Sequence, residues 1–150
     1  MRVIIQRVKQ ASVSISEKIF SQINFGYLIY LGIENTDNND DIEWLTNKII
    51  QLRIFSDEND LMNKSIIDVN GEILVVSQFT LHAKTKKGNR PSFIHAAKPN
   101  IAIPLYNQFI KTLQNKQQKT IKTGKFGADM QVASVNDGPV TIFIDTKNKE

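Results

Sequence analysis

The chain has 150 residues, a length typical of one domain, and 41% of them are hydrophobic, as in most globular proteins. It contains no cysteine, which excludes a disulfide framework, a thiol nucleophile, a cysteine-ligated zinc site and an iron–sulfur cluster. Residues 1–75 carry seven Lys and Arg against eleven Asp and Glu, whereas residues 76–150 carry twelve against four. We therefore expect one globular domain, residues 1–150, with a basic second half.

No segment predicts membrane insertion or export. The longest mostly apolar run, residues 25–33, has the length of a strand and is far shorter than a transmembrane helix. Arg7 and Lys9 interrupt the first ten residues, and no cleavage-site pattern follows them. His82 and His95 lie thirteen residues apart with no acidic residue near them, which is a poor set of metal ligands. We expect a cytoplasmic protein without a metal, a cofactor or a membrane contact.

The first part of the chain predicts β-strands. Apolar runs of strand length lie at residues 2–8, 11–15, 19–23 and 26–33. In the second run Val13 and Ile15 alternate with serines, as in a strand with one buried face. A polar turn at Glu17 and Lys18 separates the second run from the third. The short connections favour an antiparallel meander.

The sequence pattern then changes to a helical period. Capping side chains and acidic residues precede apolar residues that recur every three or four positions, which predicts a helix over residues 39–53. Residues 56–70 are polar and predict a loop. The pair Asn70-Gly71 predicts a hairpin turn before a buried strand at residues 72–79.

The second half predicts a second helix and further strands. Residues 84–92 form a basic loop. A helix is expected to begin near residues 100–103, where a proline suits the first turn, and to end near Gln117. Two strands follow, at residues 129–135 and 140–144, joined by a Gly-Pro turn. The order of strands, helix, strand, helix and strands favours an α+β fold with two main helices and a mainly antiparallel or mixed sheet.

A long span of the second half has no acidic residue. Between Glu72 and Asp129 the chain contains ten basic residues and no acidic one. Such a one-sided charge attracts polyanions, of which nucleic acid is the commonest. A solvated lysine-rich surface explains the same residues, so the charge alone leaves both interpretations open.

Local motifs leave the chemistry undecided. Ser77 ends a buried strand and His82 follows it, but the G-x-S-x-G pattern of many serine esterases is absent. A strand-end serine is therefore the stronger interpretation, and a Ser–His nucleophile is the weaker one. Gly138-Pro139 forms either an ordinary turn, which local chemistry favours, or a rigid pair that presents two carbonyls in one direction.

Four segments in a fixed order carry a resemblance to a known family. They are Ser77-Gln78-Phe79-Thr80-Leu81, Lys87-Gly88-Asn89-Arg90-Pro91-Ser92-Phe93, Gly124-Lys125-Phe126-Gly127-Ala128-Asp129-Met130 and Asn136-Asp137-Gly138-Pro139-Val140-Thr141. With the N-terminal residues 1–8, they make the chain resemble the D-aminoacyl-tRNA deacylases, formerly D-tyrosyl-tRNA deacylases, over essentially its whole length. Each motif alone is weak, but four in order on a chain of matching length are highly specific.

The resemblance implies a fold, an activity and an assembly. The implied fold is a single barrel-like sheet with two helices. The implied activity is hydrolysis of the ester between a D-amino acid and the 3′-terminal adenosine of tRNA, with rejection of L-aminoacyl-tRNA. Glycyl-tRNA, which is achiral, is an expected further substrate. The family is a homodimer with active sites at the subunit interface, and the 2′-hydroxyl of the tRNA is thought to assist the attacking water in place of a protein nucleophile.

The resemblance also implies roles for individual residues. The residues expected at the ester are Ser77, Gln78, Phe79 and Thr80. Those expected around the terminal adenine are Phe126, Gly127 and Met130. Gly138 and Pro139 are expected to be joined by a cis peptide bond, to hold the substrate α-amino group in the partner subunit's site and to exclude an L side chain. The leading candidates for contacts with tRNA phosphates are Lys84, Lys86, Lys87 and Arg90.

The residues agree with this resemblance in three respects. An ester can be hydrolysed by positioning and amide donors, so the lack of a catalytic triad is no objection. Chiral rejection needs a rigid wall, which backbone atoms can supply. The basic span suits the phosphates and unpaired bases of a tRNA acceptor end. Two alternatives stay open: a non-catalytic nucleic-acid-binding module on the same fold, and a Ser–His esterase that acts on small molecules.

Overall fold

The computed structural model describes all 150 residues and contains eight strands and two α-helices. The strands are β1 (Arg2–Ile15), β2 (Lys18–Ile23), β3 (Gly26–Gly32), β4 (Phe55–Ser56), β5 (Met62–Lys64), β6 (Glu72–Ser77), β7 (Lys122–Thr123) and β8 (Gln131–Asp145). The helices are α1 (Asn39–Gln51), α2 (Pro99–Gln117) and a short 3-10 helix (Phe79–His82). Neither α-helix combines the length and the apolar character that a membrane crossing needs.

Six of the strands form one mixed sheet with β1 at its centre. β1 pairs antiparallel with β2, β3 and β8, whereas β6 pairs in parallel with β3 and with β7. The two ends of the path β2-β1-β3-β6-β7 approach each other, and the Ser21 hydroxyl of β2 donates a hydrogen bond to the Thr123 carbonyl of β7 at 2.7 Å. The sheet is therefore nearly closed into a barrel, and the predicted α+β class with two main helices is confirmed.

The predicted N-terminal meander is wrong. Residues 2–15 form one strand, and its first half pairs with β3 while its second half pairs with β2. β3 therefore lies beside β1, because the β1–β2 hairpin occupies only residues 11–15 of a strand long enough for two partners. The two predicted C-terminal strands are likewise one strand, β8, which follows β1 along nearly its whole length.

Two hydrophobic clusters lie on opposite faces of the buried strands. Because neighbouring side chains of a strand point to opposite faces, Tyr27 and Leu31 belong to the larger cluster and Leu28 to the smaller one. The two helices cover the larger cluster with fully buried side chains such as Leu45 and Phe109. Each such side chain contributes about 1.5–3 kcal/mol to stability when it leaves water. The smaller cluster fills the inside of the barrel.

The first helix begins where the sequence predicts and ends two residues early. The Asn38 side chain accepts a hydrogen bond from the Asp41 N–H, and the Asp41 carboxylate accepts one from the Asn38 N–H at 3.0 Å, which forms a capping box. The helix ends at Gln51 because Leu52 is extended, with φ −63° and ψ 119°. The Tyr27 hydroxyl donates to the Leu52 carbonyl at 3.1 Å and holds this end.

The connection between α1 and β6 differs from its prediction. The expected loop contains a short hairpin, β4 and β5. Asn70 and Gly71 do not form the predicted hairpin turn, because β6 has only parallel partners. Asn70 has φ +53°, and the Gly71 N–H donates to the Ile66 carbonyl at 3.0 Å. The pair therefore ends a helical turn and directs the chain into a parallel strand.

Candidate active site

A mainly apolar cavity of about 320 Å³ lies where β3 and β6 end. These strands are parallel neighbours with Leu31 opposite Ser77, so their carboxyl ends meet at one edge of the sheet. The cavity is lined by Leu31, Ile33, Val76, Ser77, Gln78, Phe79, Ala97, Ala102, Phe126, Gly127, Ala128, Asp129, Met130 and Val132. A concave, apolar site with a few polar groups is the usual form of a small-ligand site.

The S-Q-F-T-L motif forms one wall of this cavity. Ser77 ends β6, and the Gln78 N–H extends the strand pairing by donating to the Leu31 carbonyl at 2.8 Å. The 3-10 helix begins at Phe79, and the Gln78 side-chain amide donates to the Thr80 hydroxyl. The first N–H groups of a helix have no acceptor within it, so the amides of Phe79, which lines the cavity, and of the following Thr80 have no partner in the 3-10 helix.

The segment between β7 and β8 forms another wall. Phe126 packs edge-to-face on the buried Tyr106 of α2, with ring centroids 5.6 Å apart. Gly124 leaves room for Met130, because a Cβ at position 124 would lie 2.6 Å from the Met130 sulfur. Gly127 turns the chain with φ +75°, a conformation that glycine adopts without strain. An aromatic ring beside a thioether gives a flat, polarisable surface suited to a nucleobase.

The N-x-G-P-V-T motif lies in a bulge of β8. From Asn136 to Thr141 the strand advances five residues opposite a two-residue step of β1, so the residues between them leave the sheet. The Asn136 side chain closes the bulge from within. Its oxygen accepts from the Val140 N–H and its nitrogen donates to the Thr141 hydroxyl, each at 3.0 Å. The Gly138–Pro139 peptide bond in this bulge is cis, and Gly138 has φ +129°.

Arg7 of β1 holds the β8 bulge in place through its contacts with Asp137. Its Nε donates to the Asp137 carbonyl at 3.0 Å and lies 3.3 Å from the Asp137 carboxylate. Its Nη1 donates to the Ile54 carbonyl at 2.6 Å. The Arg7 side chain is only 12% exposed, so these charge-assisted hydrogen bonds are shielded from water. They fix the position of Gly138 on the protein surface.

The structure brings six of the predicted site residues together in the cavity. These are Ser77, Gln78, Phe79, Phe126, Gly127 and Met130. Thr80 follows them in the chain but does not line the cavity. Gly138 and Pro139 are exposed on the β8 bulge and do not line the cavity of their own chain either. One chain therefore presents the two principal motifs at separate places.

The four basic residues predicted to contact phosphates lie on an exposed loop. They are Lys84, Lys86, Lys87 and Arg90. Two backbone hydrogen bonds between Lys84 and Ser92, of 2.8 and 3.0 Å, close the base of the loop. None of the four side chains forms a salt bridge within the chain. Their charges are therefore unneutralised and available to a polyanion.

Comparison with known proteins decides the family. A family model described as D-Tyr-tRNA(Tyr) deacylase matches residues 4–145. The chain belongs to this deacylase family. Relatives of the same length are named D-aminoacyl-tRNA deacylase, and they include proteins of Flavobacterium psychrophilum and Bacteroides fragilis, 62% and 63% identical over 100% of both chains. The resemblance inferred from the four motifs is thereby confirmed.

Solved structures show the same deacylase fold. A protein described as c-Myc DNA Unwinding Element Binding Protein is 42% identical and superposes with a TM-score of 0.92, over 97% of this chain and 98% of its own. A probable eukaryotic D-amino acid tRNA deacylase superposes with a TM-score of 0.80, over 95% and 97% of the two chains. It is only 17% identical, so this second likeness concerns the fold alone. The predicted barrel-like deacylase fold is confirmed.

Sequence reasoning missed the apolar residues of the deacylase pocket. Leu31 lies at the end of β3 and Ile33 directly after it, and Ala97 and Ala102 lie where α2 begins. The Ala97 N–H donates to the Ile33 carbonyl at 2.9 Å, which joins these two parts of the wall. Small apolar residues have no chemical signature in a sequence. Asp129, by contrast, is a lining residue that the sequence does mark, since it is the first acidic residue after the basic span and lies in a motif of the family.

His82 is buried outside this pocket. It is 2% exposed, and its Nε2 has no hydrogen-bond partner. It lines a separate cavity with Arg2 and Lys84, so the structure gives no support to its pairing with Ser77. Burial lowers the pKa of His82 below its usual value, and this effect exceeds the opposing hydrogen bond with the backbone of Gly32.

The buried His82 is expected to make stability fall in mild acid. Below the ordinary histidine pKa of about 6.5, the unfolded chain binds a proton at this position that the folded chain does not yet bind. The free energy of unfolding should therefore decrease as the pH falls from 7 through 6. Urea unfolding at several pH values measures this slope, which should be smaller in His82→Gln than in the wild type. An equal slope in His82→Gln and in the wild type would contradict the prediction.

Proposed function

We propose that this protein hydrolyses the ester bond between a D-amino acid and the 3′-terminal adenosine of tRNA and rejects the L-aminoacyl ester. The products are free tRNA and the D-amino acid. The observation that carries the proposal is that two separate family motifs, at Ser77–Phe79 and Phe126–Met130, line one cavity. The full-length relatives are named for this activity, which makes the chain a carboxylic ester hydrolase. Its substrate places it in the cytoplasm.

The proposed chemistry uses positioning and backbone donors. The amides of Phe79 and Thr80 stabilise the ester carbonyl oxygen as it gains negative charge. Water adds to the carbonyl carbon, the bond to the ribose 3′-oxygen breaks, and a proton from the water passes to that oxygen. The neighbouring 2′-hydroxyl of the tRNA relays this proton, so no side chain serves as nucleophile. Ser77 ends the strand, and Gln78 holds that strand end through its N–H and the helix start through its side chain, which aims the two amides.

The terminal adenine occupies the other side of the same cavity. Phe126 offers the base an aromatic surface, and Tyr106 supports that ring from behind. Met130 fills the space that Gly124 leaves. The turn at Gly127 brings backbone close to the ligand. This placement leaves the S-Q-F-T-L wall for the aminoacyl ester.

The active form is a homodimer in this proposal. Gly138 and Pro139 lie outside the cavity of their own chain, on a 15-residue strand that pairs with β1 on one side only. Long unpaired edge strands are normally covered in soluble proteins. β8 also exposes Val135 at 44% and Phe143 at 58%. Pairing of two chains along β8 would cover these side chains and bring the bulge of one subunit to the cavity of the other.

The Gly138–Pro139 bulge then selects the chirality of the substrate. Its two carbonyls accept hydrogen bonds from the α-amino group, and its backbone occupies the space that an L side chain would need. Because hydrogen bonds from Arg7 and Asn136 both hold the bulge, its backbone cannot move aside to admit an L side chain. Glycyl-tRNA has no side chain to reject and is cleaved too. The side chain of a D-amino acid points away from the wall and is not distinguished.

The experiment that tests the proposal compares hydrolysis of matched D-tyrosyl-tRNA and L-tyrosyl-tRNA by the purified, chelator-treated protein. Rapid release from the D ester alone is expected, since the proposed reaction uses no metal or cofactor. Binding of tRNA without cleavage of either ester would instead favour the non-catalytic nucleic-acid-binding module. Cleavage of both esters would refute chiral selection by Gly138 and Pro139.

Two alanine variants separate the proposal from the Ser–His esterase. The esterase mechanism requires near-complete loss of activity in both Ser77→Ala and His82→Ala. The proposed mechanism assigns no chemical step to His82, so His82→Ala is expected to keep most of the wild-type kcat on D-tyrosyl-tRNA. Circular dichroism must first show that the variant is folded at the assay temperature, because His82 is buried. A folded but inactive His82→Ala would contradict this expectation.

Charge reversal in the basic loop is expected to weaken tRNA binding. A triple variant, Lys86→Glu, Lys87→Glu and Arg90→Glu, should raise KM for D-tyrosyl-tRNA by on the order of 10-fold or more with little change in kcat. It should also reduce the dependence of KM on salt, because fewer phosphates are neutralised. Lys18→Glu, an exposed charge on β2, is the matched control. Unchanged tRNA affinity in the triple variant would remove these residues from the interface.

A further inference from the structure

Phe79 and Phe93 form an exposed aromatic pair at the rim of the cavity. Their ring centroids are 5.0 Å apart at an interplanar angle of 74°. Phe79 lines the cavity yet is 55% exposed, and Phe93 is 36% exposed and lies outside it. Exposed aromatic rings in contact with each other are costly in water and commonly mark a binding surface. The mechanism above uses the amide of Phe79 but neither aromatic ring.

The pair adjoins the unneutralised charges of the basic loop. Two backbone hydrogen bonds between Lys84 and Ser92 close that loop, and Phe93 is the residue that follows. The surface therefore combines two aromatic rings with the cations of residues 84–90. The chain has no acidic residue between Glu72 and Asp129, the span that contains them. Aromatic rings beside a cationic track are the combination that binds single-stranded nucleic acid, with bases stacked on the rings and phosphates on the cations.

The cavity is too small to hold the nucleotide that precedes the terminal adenosine, which must therefore lie outside it. A cavity of about 320 Å³ is at the small end for ligand sites, so we expect the aminoacyl group and terminal adenosine to leave no room in it for a second nucleotide. The preceding nucleotide of the tRNA must therefore leave the cavity across its rim. Phe79 links the inside of the cavity to Phe93 outside it. A strand that leaves along this wall meets the Phe93 ring before it reaches the basic loop.

We propose that Phe93, supported edge-on by Phe79, stacks the base of the nucleotide that precedes the 3′-terminal adenosine. This inference rests on the proposed function and assigns the site of a second nucleotide of the same substrate. Stacking on a ring face depends little on base identity, and this position is the same in every mature tRNA. Phe93 thus contributes to binding of the tRNA end and has no part in the chemical step.

The experiment compares three D-tyrosyl esters that differ in nucleotide number: D-tyrosyl-adenosine, the D-tyrosyl ester of the dinucleotide CpA, and D-tyrosyl-tRNA. The wild type should cleave the dinucleotide ester with a higher kcat/KM than the adenosine ester. Phe93→Leu should lower kcat/KM by about 5- to 150-fold on the dinucleotide and tRNA esters, mainly through KM. It should leave the adenosine ester unaffected. Phe93→Tyr, which keeps the ring, should restore the loss, and the exposed-aromatic control Phe20→Leu should change nothing.

The possible failures are distinguishable. An equal loss on all three esters would assign Phe93 a structural role and overturn the inference, as would no loss on D-tyrosyl-tRNA. A change of oligomeric state in Phe93→Leu, measured by light scattering, would instead assign the ring to a subunit contact. If the wild type cleaves none of the esters, the proposed function itself fails. If it cleaves all three and Phe93→Leu behaves like the wild type, only the stacking site fails.

Discussion

Gly138→Ala is expected to lower kcat/KM for D-tyrosyl-tRNA by on the order of 100-fold while the protein stays folded. The new Cβ would lie 2.9 Å from Val140 Cγ2, closer than such contacts allow, and 3.0 Å from Arg7 Nη2, which is a tight contact. Gly138 also has φ +129°, which side-chain-bearing residues rarely adopt. The bulge must therefore shift, and it moves the two carbonyls that hold the substrate. Because the bulge is at the surface, the barrel core is not affected.

Gly88→Ala is a control for the effect of this substitution on stability, because Gly88 lies in the basic loop and its variant is compared by unfolding and not by tRNA kinetics. Gly88 also has a positive φ, +71°, but a Cβ there would meet no atom within 4 Å. It should therefore show the cost to stability of an alanine at a positive φ without displacing any neighbour. Steady-state kinetics on D-tyrosyl-tRNA measure the effect, and thermal unfolding shows that both variants are folded. Wild-type turnover in folded Gly138→Ala would refute the role of the bulge.

Mixed dimers test whether the bulge acts in the partner's site. If it does, Gly138→Ala and Gln78→Ala damage different halves of each composite site. If Gln78→Ala alone is as impaired as Gly138→Ala, refolding the two variants together should then restore up to about one quarter of wild-type activity, because half of the dimers contain one intact site. If the bulge acts within its own subunit, every chain in the mixture carries a damaged site. The mixture would then stay inactive.

The sequence predicted local elements better than their pairing. Helix starts followed closely from local chemistry: capping side chains before residue 39 marked the start of α1, and α2 begins at Pro99, just before the expected residues 100–103. The pair Asn70-Gly71 led to a wrong prediction, because an asparagine with left-handed backbone conformation occurs both in hairpin turns and at the end of a helical turn. Which of the two forms depends on whether the next strand is parallel. Strand partners distant in the chain decide that, and no local pattern records them.

The site was predictable only where its chemistry is carried by distinctive residues. The motifs at Ser77 and Phe126 were recognisable, and the structure places both on one cavity. The apolar wall at Leu31 was not, because it depends on the parallel pairing of β3 with β6. The anchoring role of Arg7 was equally hidden. It requires Arg7 of β1 to face the bulge of β8, 130 positions further along the chain.

Arg7→Met is expected to lower both stability and activity. It removes the hydrogen bonds to the Asp137 and Ile54 carbonyls and leaves the Asp137 carboxylate without its 3.3 Å partner. Ile54 is only 6% exposed, so its carbonyl would lose its partner away from water. We expect the free energy of unfolding to fall by about 2–4 kcal/mol. Because the bulge would no longer be fixed, kcat/KM for D-tyrosyl-tRNA should fall by on the order of 100-fold.

Arg7→Lys distinguishes loss of charge from loss of geometry. A lysine keeps the positive charge beside Asp137, but a single ammonium cannot reach both carbonyls as the planar guanidinium does. It should therefore recover part of the stability in urea unfolding and little of the activity. If Arg7→Lys recovers activity as fully as stability, charge alone holds the bulge. If the activity of folded Arg7→Met equals that of the wild type, the bulge needs no anchor, and its order comes from Asn136 and the flanking sheet.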